Sequence, residues 1–188
     1  MLEKTSGGGS PSVIRDDELL EAWSEGDTAA GQLLYERYFP LVHRFFSRRL
    51  SRDVEDLVQR TFLACTKHRD RLRDGSSFRG FVFVVARNEL NFYLRTRYRQ
   101  GQPVDLSTTH LADVSDTVYQ IIIRHEEHHQ LRVALRRIPQ DLQEVLELSY
   151  FERLKGPELA ATLAIPEGTV RSRLRRAIDA LRTEFQRI

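Results

Sequence analysis

Two helix-periodic segments, each opened by a proline and separated by a tight turn, constrain this chain more than any other feature. They lie within Tyr150–Arg182. Gly156-Pro157 predicts the start of the first helix, because proline at the first helical position gives up an N–H that would have had no partner. Leu159 and Leu163 share one face of it, and the small Ala160 and Ala161 admit a close neighbour. Pro166 is expected to open the second helix in the same way. At about 100° per residue, Val170, Leu174, Ala177, Ile178 and Leu181 gather on one side and Ser172, Arg175 and Arg176 on the other. Gly168, Thr169 and Arg171 flank the amino end, the part of such a helix that meets base edges in a major groove, while arginines further along meet phosphates. An ordinary amphipathic helix with a solvated basic face would show the same stripe. The preceding helix, the short turn and the two proline starts together favour a DNA-binding helix-turn-helix.

Upstream, Leu19, Leu20, Trp23, Leu33, Leu34, Tyr38, Val42 and Phe46 recur at helical spacing. They predict one or two core-facing helices, punctuated at Gly26-Asp27 with Asp27 as a cap. In DVEDLVQRTF, residues 53–62, an apolar stripe of Val54, Leu57, Val58, Thr61 and Phe62 continues to Cys65. Asp53 stands at the capping position. Glu55, Asp56 and Gln59 face outward, either as acids favoured in a first helical turn or as a face that docks a partner protein.

A third run, from Phe78 to Gln100, is apolar nearly all round in its first half and is expected to be buried there. Its second half carries Arg87, Arg95, Arg97 and Arg99 interleaved with Tyr93 and Tyr98. Cations that follow phosphates, mixed with rings that stack on bases, suit single-stranded DNA, although a core helix with a solvated end would have the same composition.

Taken in order, DVEDLVQRTF, FRGFVFVVARN with the basic residues after it, and IPEGTVRSRLRRA resemble the extracytoplasmic-function (ECF) sigma factors, the small two-domain initiation factors of bacterial RNA polymerase. The resemblance runs from Asp16 to Arg182. It implies an all-α fold of two small helical domains joined by a flexible linker, the C-terminal one a helix-turn-helix. Its boundaries would be a tail over 1–14, a region-two-like domain over 15–100, a linker over 101–124 and a region-four-like domain over 125–188. It implies that Asp53, Glu55, Asp56 and Gln59 grip core RNA polymerase. Arg71, Arg73, Ser76 and Ser77, in the loop from His68 to Ser77, would lie at the promoter −10 element with Asn88, Asn91, Arg95, Arg97 and Arg99. That loop would help capture a flipped base. Thr169, Arg171, Ser172, Arg175 and Arg176 would face the −35 duplex, and an anti-sigma factor is the implied inhibitory partner. Four positions depart from the family pattern: Arg60 for a common glutamate, Phe81 for a frequent tryptophan, Phe92 for a frequent aspartate, and Ala164 for the usual glycine of the turn. A transcriptional regulator built on the same helix-turn-helix, or a diverged sigma-like protein, is the alternative.

The net charge of +2 speaks against indiscriminate polyanion binding, and the charge is patterned rather than spread. Acid gathers at Asp16–Glu21 and Asp53–Asp56, base at Arg95–Arg99 and Arg171–Arg176. The single cysteine, Cys65, falls on an apolar stripe and is expected to be a buried thiol in a reducing cytoplasm. No apolar run approaches membrane-spanning length, and the glycine- and serine-rich start lacks a hydrophobic signal core. His125, Glu126 and His129 satisfy H-E-x-x-H, but neither a third ligand nor the glycine of the longer metalloprotease motif follows. The expectation is therefore no catalytic residue, no metal site and no cofactor.

Overall fold

The computed structural model describes residues 14–69, 77–101 and 125–188, which form eight α-helices and one π-helical turn. In chain order these are α1 (Asp16–Ser24), α2 (Thr28–Ser47), α3 (Val54–Lys67), α4 (Phe78–Arg99), α5 (His125–Arg137), α6 (Gln140–Leu146), the π-turn Glu147–Phe151, α7 (Gly156–Leu163) and α8 (Glu167–Gln186).

The first segment divides into two helices where Gly26 takes φ +107°, a backbone that suits glycine. Asp27 caps α2 as expected, its carboxylate accepting from the Ala29 and Ala30 amides at 2.8 and 3.3 Å. Gly31 is held for a packing reason as well: a Cβ there would stand 2.4 Å from Trp23 Nε1. Leu33 departs from its expected place in the core and lies exposed, because the buried stripe of α2 runs through Ala30, Leu34, Tyr38, Val42, Phe45 and Phe46. On α3 the stripe Val54, Leu57, Val58, Thr61 and Cys65 is buried. Burial pushes the Cys65 thiol up to about 12, which leaves it protonated and inert.

The C-terminal half folds around its turn. Pro157 occupies the first turn of α7, and Glu158 reaches back to the Lys155 amide at 2.7 Å. Ala164 then adopts φ 54°, ψ 43°, and the Ile165 amide closes onto the Ala160 carbonyl at 3.1 Å. This is the left-handed residue that a sharp helix-to-helix turn needs, filled by alanine where glycine would fit without strain. Pro166 precedes α8 rather than opening it. Its extended backbone is the N-cap conformation, and its carbonyl accepts from the Thr169 and Val170 amides.

The halves lie against each other through α4 and α7, and the buried residues of both belong to one cluster. Glu158 packs over Gly80, where a Cβ would come within 3.0 Å of Glu158 Cγ. Three carboxylates beside the π-turn cross to arginines of the first half. Arg48 Nη1 donates to Glu152 Oε1 at 3.2 Å, with the two side chains only 4% and 1% exposed. Arg49 pairs with Glu147, and Arg87 holds both oxygens of Glu144 at 2.8 and 3.3 Å. Arg79 donates to the Glu152 carbonyl, and Arg48 lies 4.5 Å over the Phe151 ring.

Desolvation dominates both members of the central pair. Burial raises the Glu152 carboxyl above its usual range, against the pull of Arg48 and Arg44, and burial lowers Arg48. The folded state therefore takes up a proton at Glu152 more readily than the unfolded chain does. The stability linked to Glu152 is full below the unfolded carboxylate value and declines as pH rises through the raised one. A pair of this kind fixes geometry more than it adds stability.

Two stability predictions follow from these contacts. Glu152→Ala strands Arg48 without a counter-charge and should cost about 3–5 kcal/mol, whereas the double change Arg48→Met with Glu152→Met should recover most of it. A urea-unfolding double-mutant cycle measures the coupling, and additive losses would contradict it. Ala164→Gly should stabilise the protein by about 1 kcal/mol by removing left-handed strain, read as a raised Tm; a lowered Tm would count against strain at that turn.

Candidate polymerase and promoter surfaces

The cationic ridge lies on α8. Its buried side, Val170 and Ala177 with Leu174 and Leu181 packed on the core, seats the helix against α5, α6 and α7. Ile178 was expected on that side but is exposed at the stripe's edge. Arg171, Ser172, Arg175 and Arg176 all face outward, and Thr169 is half-buried. Arg175 and Arg176 make no ion pair among the described residues, and Arg171 has only Glu167 at 3.8 Å one turn earlier. Arg173, by contrast, is turned inward beside Asp141 at 3.7 Å. The face thus presents free guanidinium groups flanked by one hydroxyl, the chemistry that phosphates and base edges require.

On the first half, α3 shows Glu55, Asp56 and Gln59 to solvent, Glu55 being 83% exposed. Arg60 reaches Asp56 at 2.9 Å, so the departure from the family's glutamate partly neutralises a neighbouring acid. Beside them runs a groove of about 420 Å³ between α2 and α3, whose apolar lining is Tyr35, Phe39, Val58, Phe62 and Leu63. Tyr35 stacks edge-on to Phe62 with centroids 4.7 Å apart. Sequence periodicity missed Tyr35, Phe39 and Leu63. The signal available was an aromatic pair four residues apart on α2, off the core stripe, facing the acidic helix.

Asp53 behaves differently from the other three expected docking residues. It sits at the N-cap of α3 but in a left-handed conformation, φ 62°, and its side chain makes no capping bond. The expected cap is replaced by a crossing contact: Tyr93 Oη donates to Asp53 Oδ2 at 2.7 Å, and Arg97 Nη2 pairs with the same oxygen. The Tyr93 hydrogen bond, with Arg97 beside it, holds the Asp53 carboxyl below its usual range. Arg97 also lies 5.1 Å over the Tyr93 ring. The start of α3 is thereby tied to the basic end of α4.

Along α4 the basic residues divide. Arg87 and Arg97 are drawn onto Glu144 and Asp53. Arg95 and Arg99 are exposed and without ion pairs among the described residues, and Asn88 lies exposed on the same side. Asn91 is half-buried. Ser77 caps α4, its hydroxyl oxygen accepting from the Gly80 amide at 3.4 Å. Phe81 is half-buried against the core. Arg71, Arg73 and Ser76 lie outside the described residues, as do the side chains of His125–His129 on α5 and nearly all of the expected linker. No helix among the described residues is long and apolar enough to cross a membrane.

These surfaces occur in the order found in known proteins. Residues 34–100 match Sigma-70 region 2, and residues 128–181 match Sigma-70, region 4. The chain is 29% identical over 183 residues to the ECF RNA polymerase sigma-E factor of Haemophilus influenzae, covering 92% of this chain and 96% of that protein. It is 30% identical over 182 residues to the ECF RNA polymerase sigma-E factor of Escherichia coli K12, covering 92% and 95%. Among solved structures it resembles the sigma factor RpoE from Bartonella quintana, solved in complex with the anti-sigma factor NepR, with TM-score 0.63 and 22% identity over 82% of this chain and 96% of that one. It also resembles CnrH, solved in complex with the cytosolic domain of CnrY, with TM-score 0.59 and 22% identity over 89% and 95%. At 22% identity, likeness to the solved structures speaks for the shared helical fold alone. The alternative of a regulator sharing only the helix-turn-helix leaves the first half without an explanation. With both halves matched in order and nearly the whole length aligned to such relatives, the chain belongs to the ECF RNA polymerase sigma factors.

Proposed function

We propose a division of labour in which core RNA polymerase docks on α3, α4 holds the −10 element and α8 reads the −35 duplex. Glu55, Asp56 and Gln59 supply the polar rim of the docking surface, and the Tyr35–Phe39–Leu63 groove supplies the apolar centre that a stable interface needs. Asp53 serves this surface by fixing the direction of α3 relative to α4. Asn88, Asn91, Arg95 and Arg99 are the −10 residues of α4, with Arg97 placed by Asp53 and with Arg71, Arg73, Ser76 and Ser77 contributed by the loop before it. Thr169, Arg171, Ser172, Arg175 and Arg176 are the −35 residues. The observation that carries this reading is the presence, on one chain, of an acid-rimmed aromatic groove and an exposed cationic ridge whose Arg175 and Arg176 make no ion pair among the described residues. A DNA-binding regulator would need only the second.

The chain itself performs no covalent chemistry and needs no cofactor. It acts in the cytoplasm, where polymerase works, and an anti-sigma factor is its expected inhibitor. Positions −10 and −35 are separated by about 25 base pairs, roughly 85 Å of duplex at 3.4 Å per pair. A compact chain of this length has a radius of gyration of only about 16 Å. Engaging both elements therefore requires α4 and α7 to part, and a linker over 101–124 has enough residues to span about 80 Å when extended.

Run-off transcription with purified core polymerase and genomic promoter fragments should yield discrete transcripts that depend on this chain. Asp56→Arg should abolish polymerase association and transcripts while leaving binding of a −35 duplex intact; normal association would misplace the docking surface. Arg176→Ala should weaken duplex binding and reduce the slope of log K against log salt by about one counterion. An unchanged slope would remove Arg176 from phosphate contact.

A further inference from the structure

Two rings of α4, Phe92 and the still more exposed Tyr98, are explained neither by the core nor by the crossing contacts, and of the two only Phe92 falls in line with the exposed cations of the helix. It is 50% exposed, lies outside the cluster of packed apolar side chains, and has no ring partner among the described residues. Its apolar and aromatic neighbours are committed. Leu90 is buried, Leu94 packs on the core, and Tyr93 is held by Asp53 and Arg97. At about 100° per residue, Asn88, Phe92, Arg95 and Arg99 fall within a stripe about 60° wide. All four are exposed. Helical rise places Arg95 and Arg99 about 4.5 and 10.5 Å beyond Phe92 along the axis. A bare aromatic face thus stands inside a row of an amide and two cations without ion pairs among the described residues, none of them part of the groove's lining.

We propose that Phe92 is a base-stacking residue of the −10 site, its ring taking the face of one unpaired base of the opened strand while Arg95 and Arg99 hold neighbouring phosphates. The proposal rests on the reading of α4 as the −10 helix. Phenylalanine has no hydrogen-bond donor or acceptor, so it cannot read a base edge. The family's frequent aspartate at this position could. Stacking tolerates any base, because every base has a π-face, and its residual preference follows stacking strength. This chain therefore reads one −10 position by ring overlap, and its promoters should tolerate substitution there.

The test uses holoenzyme assembled from the full chain and core polymerase, on promoter DNA carrying 2-aminopurine at one −10 position at a time in the non-template strand. At one position the probe should be quenched with the native chain and with Phe92→Trp, and should brighten several-fold with Phe92→Ala and Phe92→Leu. Affinity for a single-stranded −10 oligonucleotide should fall about tenfold or more in the alanine and leucine variants, with polymerase assembly and −35 duplex binding unchanged. Arg95→Ala separates the two layers of inference. If it weakens −10 binding while Phe92→Ala or Phe92→Leu behaves as the native chain, stacking by Phe92 is overturned and the reading of α4 stands. If Arg95→Ala also changes nothing, the −10 reading of α4 fails and the proposal fails with it. Loss of polymerase assembly in Phe92→Ala would assign the ring to a protein interface and overturn the proposal as well.

Discussion

Glu152, buried against Arg48, which itself lies over the Phe151 ring, is the contact on which the arrangement of this molecule depends. A carboxylate taken out of water tolerates few positions, because a small displacement leaves it without its counter-charge. The π-turn immediately before it carries Glu147, and Glu147 and Glu152 meet the neighbouring Arg49 and Arg48 just past the end of α2. Glu144 extends the same line to Arg87 on α4. Beside its apolar contacts the crossing carries an ion pair whose two partners are both desolvated. It therefore specifies how the halves meet without making their separation prohibitive, which suits a protein that has to reach two distant stretches of DNA.

Pairing between elements, across the halves and within each, also decides which arginines remain available. Arg48, Arg49, Arg87, Arg97 and Arg173 are turned onto carboxylates, whereas Arg95, Arg99, Arg175 and Arg176 are left to solvent. In the sequence these groups are interleaved, and a basic run gives no sign of which member will be occupied. The occupied ones meet acids 104, 98, 57 and 44 positions away, for Arg48, Arg49, Arg87 and Arg97. Only packing brings those partners together.

Much of the site was legible because it is local. The cap at Asp27, the stripe of α3, the outward Glu55, Asp56 and Gln59, and the exposed Arg171, Ser172, Arg175 and Arg176 all follow from spacing within one helix. The left-handed turn at Ala164 did not follow from spacing; its signal was the glycine usual at that position in the resembled family. The misses are contacts between elements. Asp53 stands where a cap belongs, but Tyr93 and Arg97 offer its carboxylate stronger partners than a backbone amide. Leu33 and Ile178 fit the helical period and still lie outside, because neighbouring helices do not cover those edges. The groove of Tyr35, Phe39 and Leu63 exists only where α2 meets α3.

Periodicity, capping residues and motif order were enough, from the chain alone, to establish an all-helical protein with a recognition helix and a separate acidic helix. Those features are set by interactions within a few residues of each other. The tertiary structure alone decided which charges are consumed inside, which aromatic residues form a groove and which rings on α4 stay bare. Burial and pairing depend on elements distant in sequence, and side-chain desolvation is fixed by what packs above each residue rather than by what precedes it in the chain.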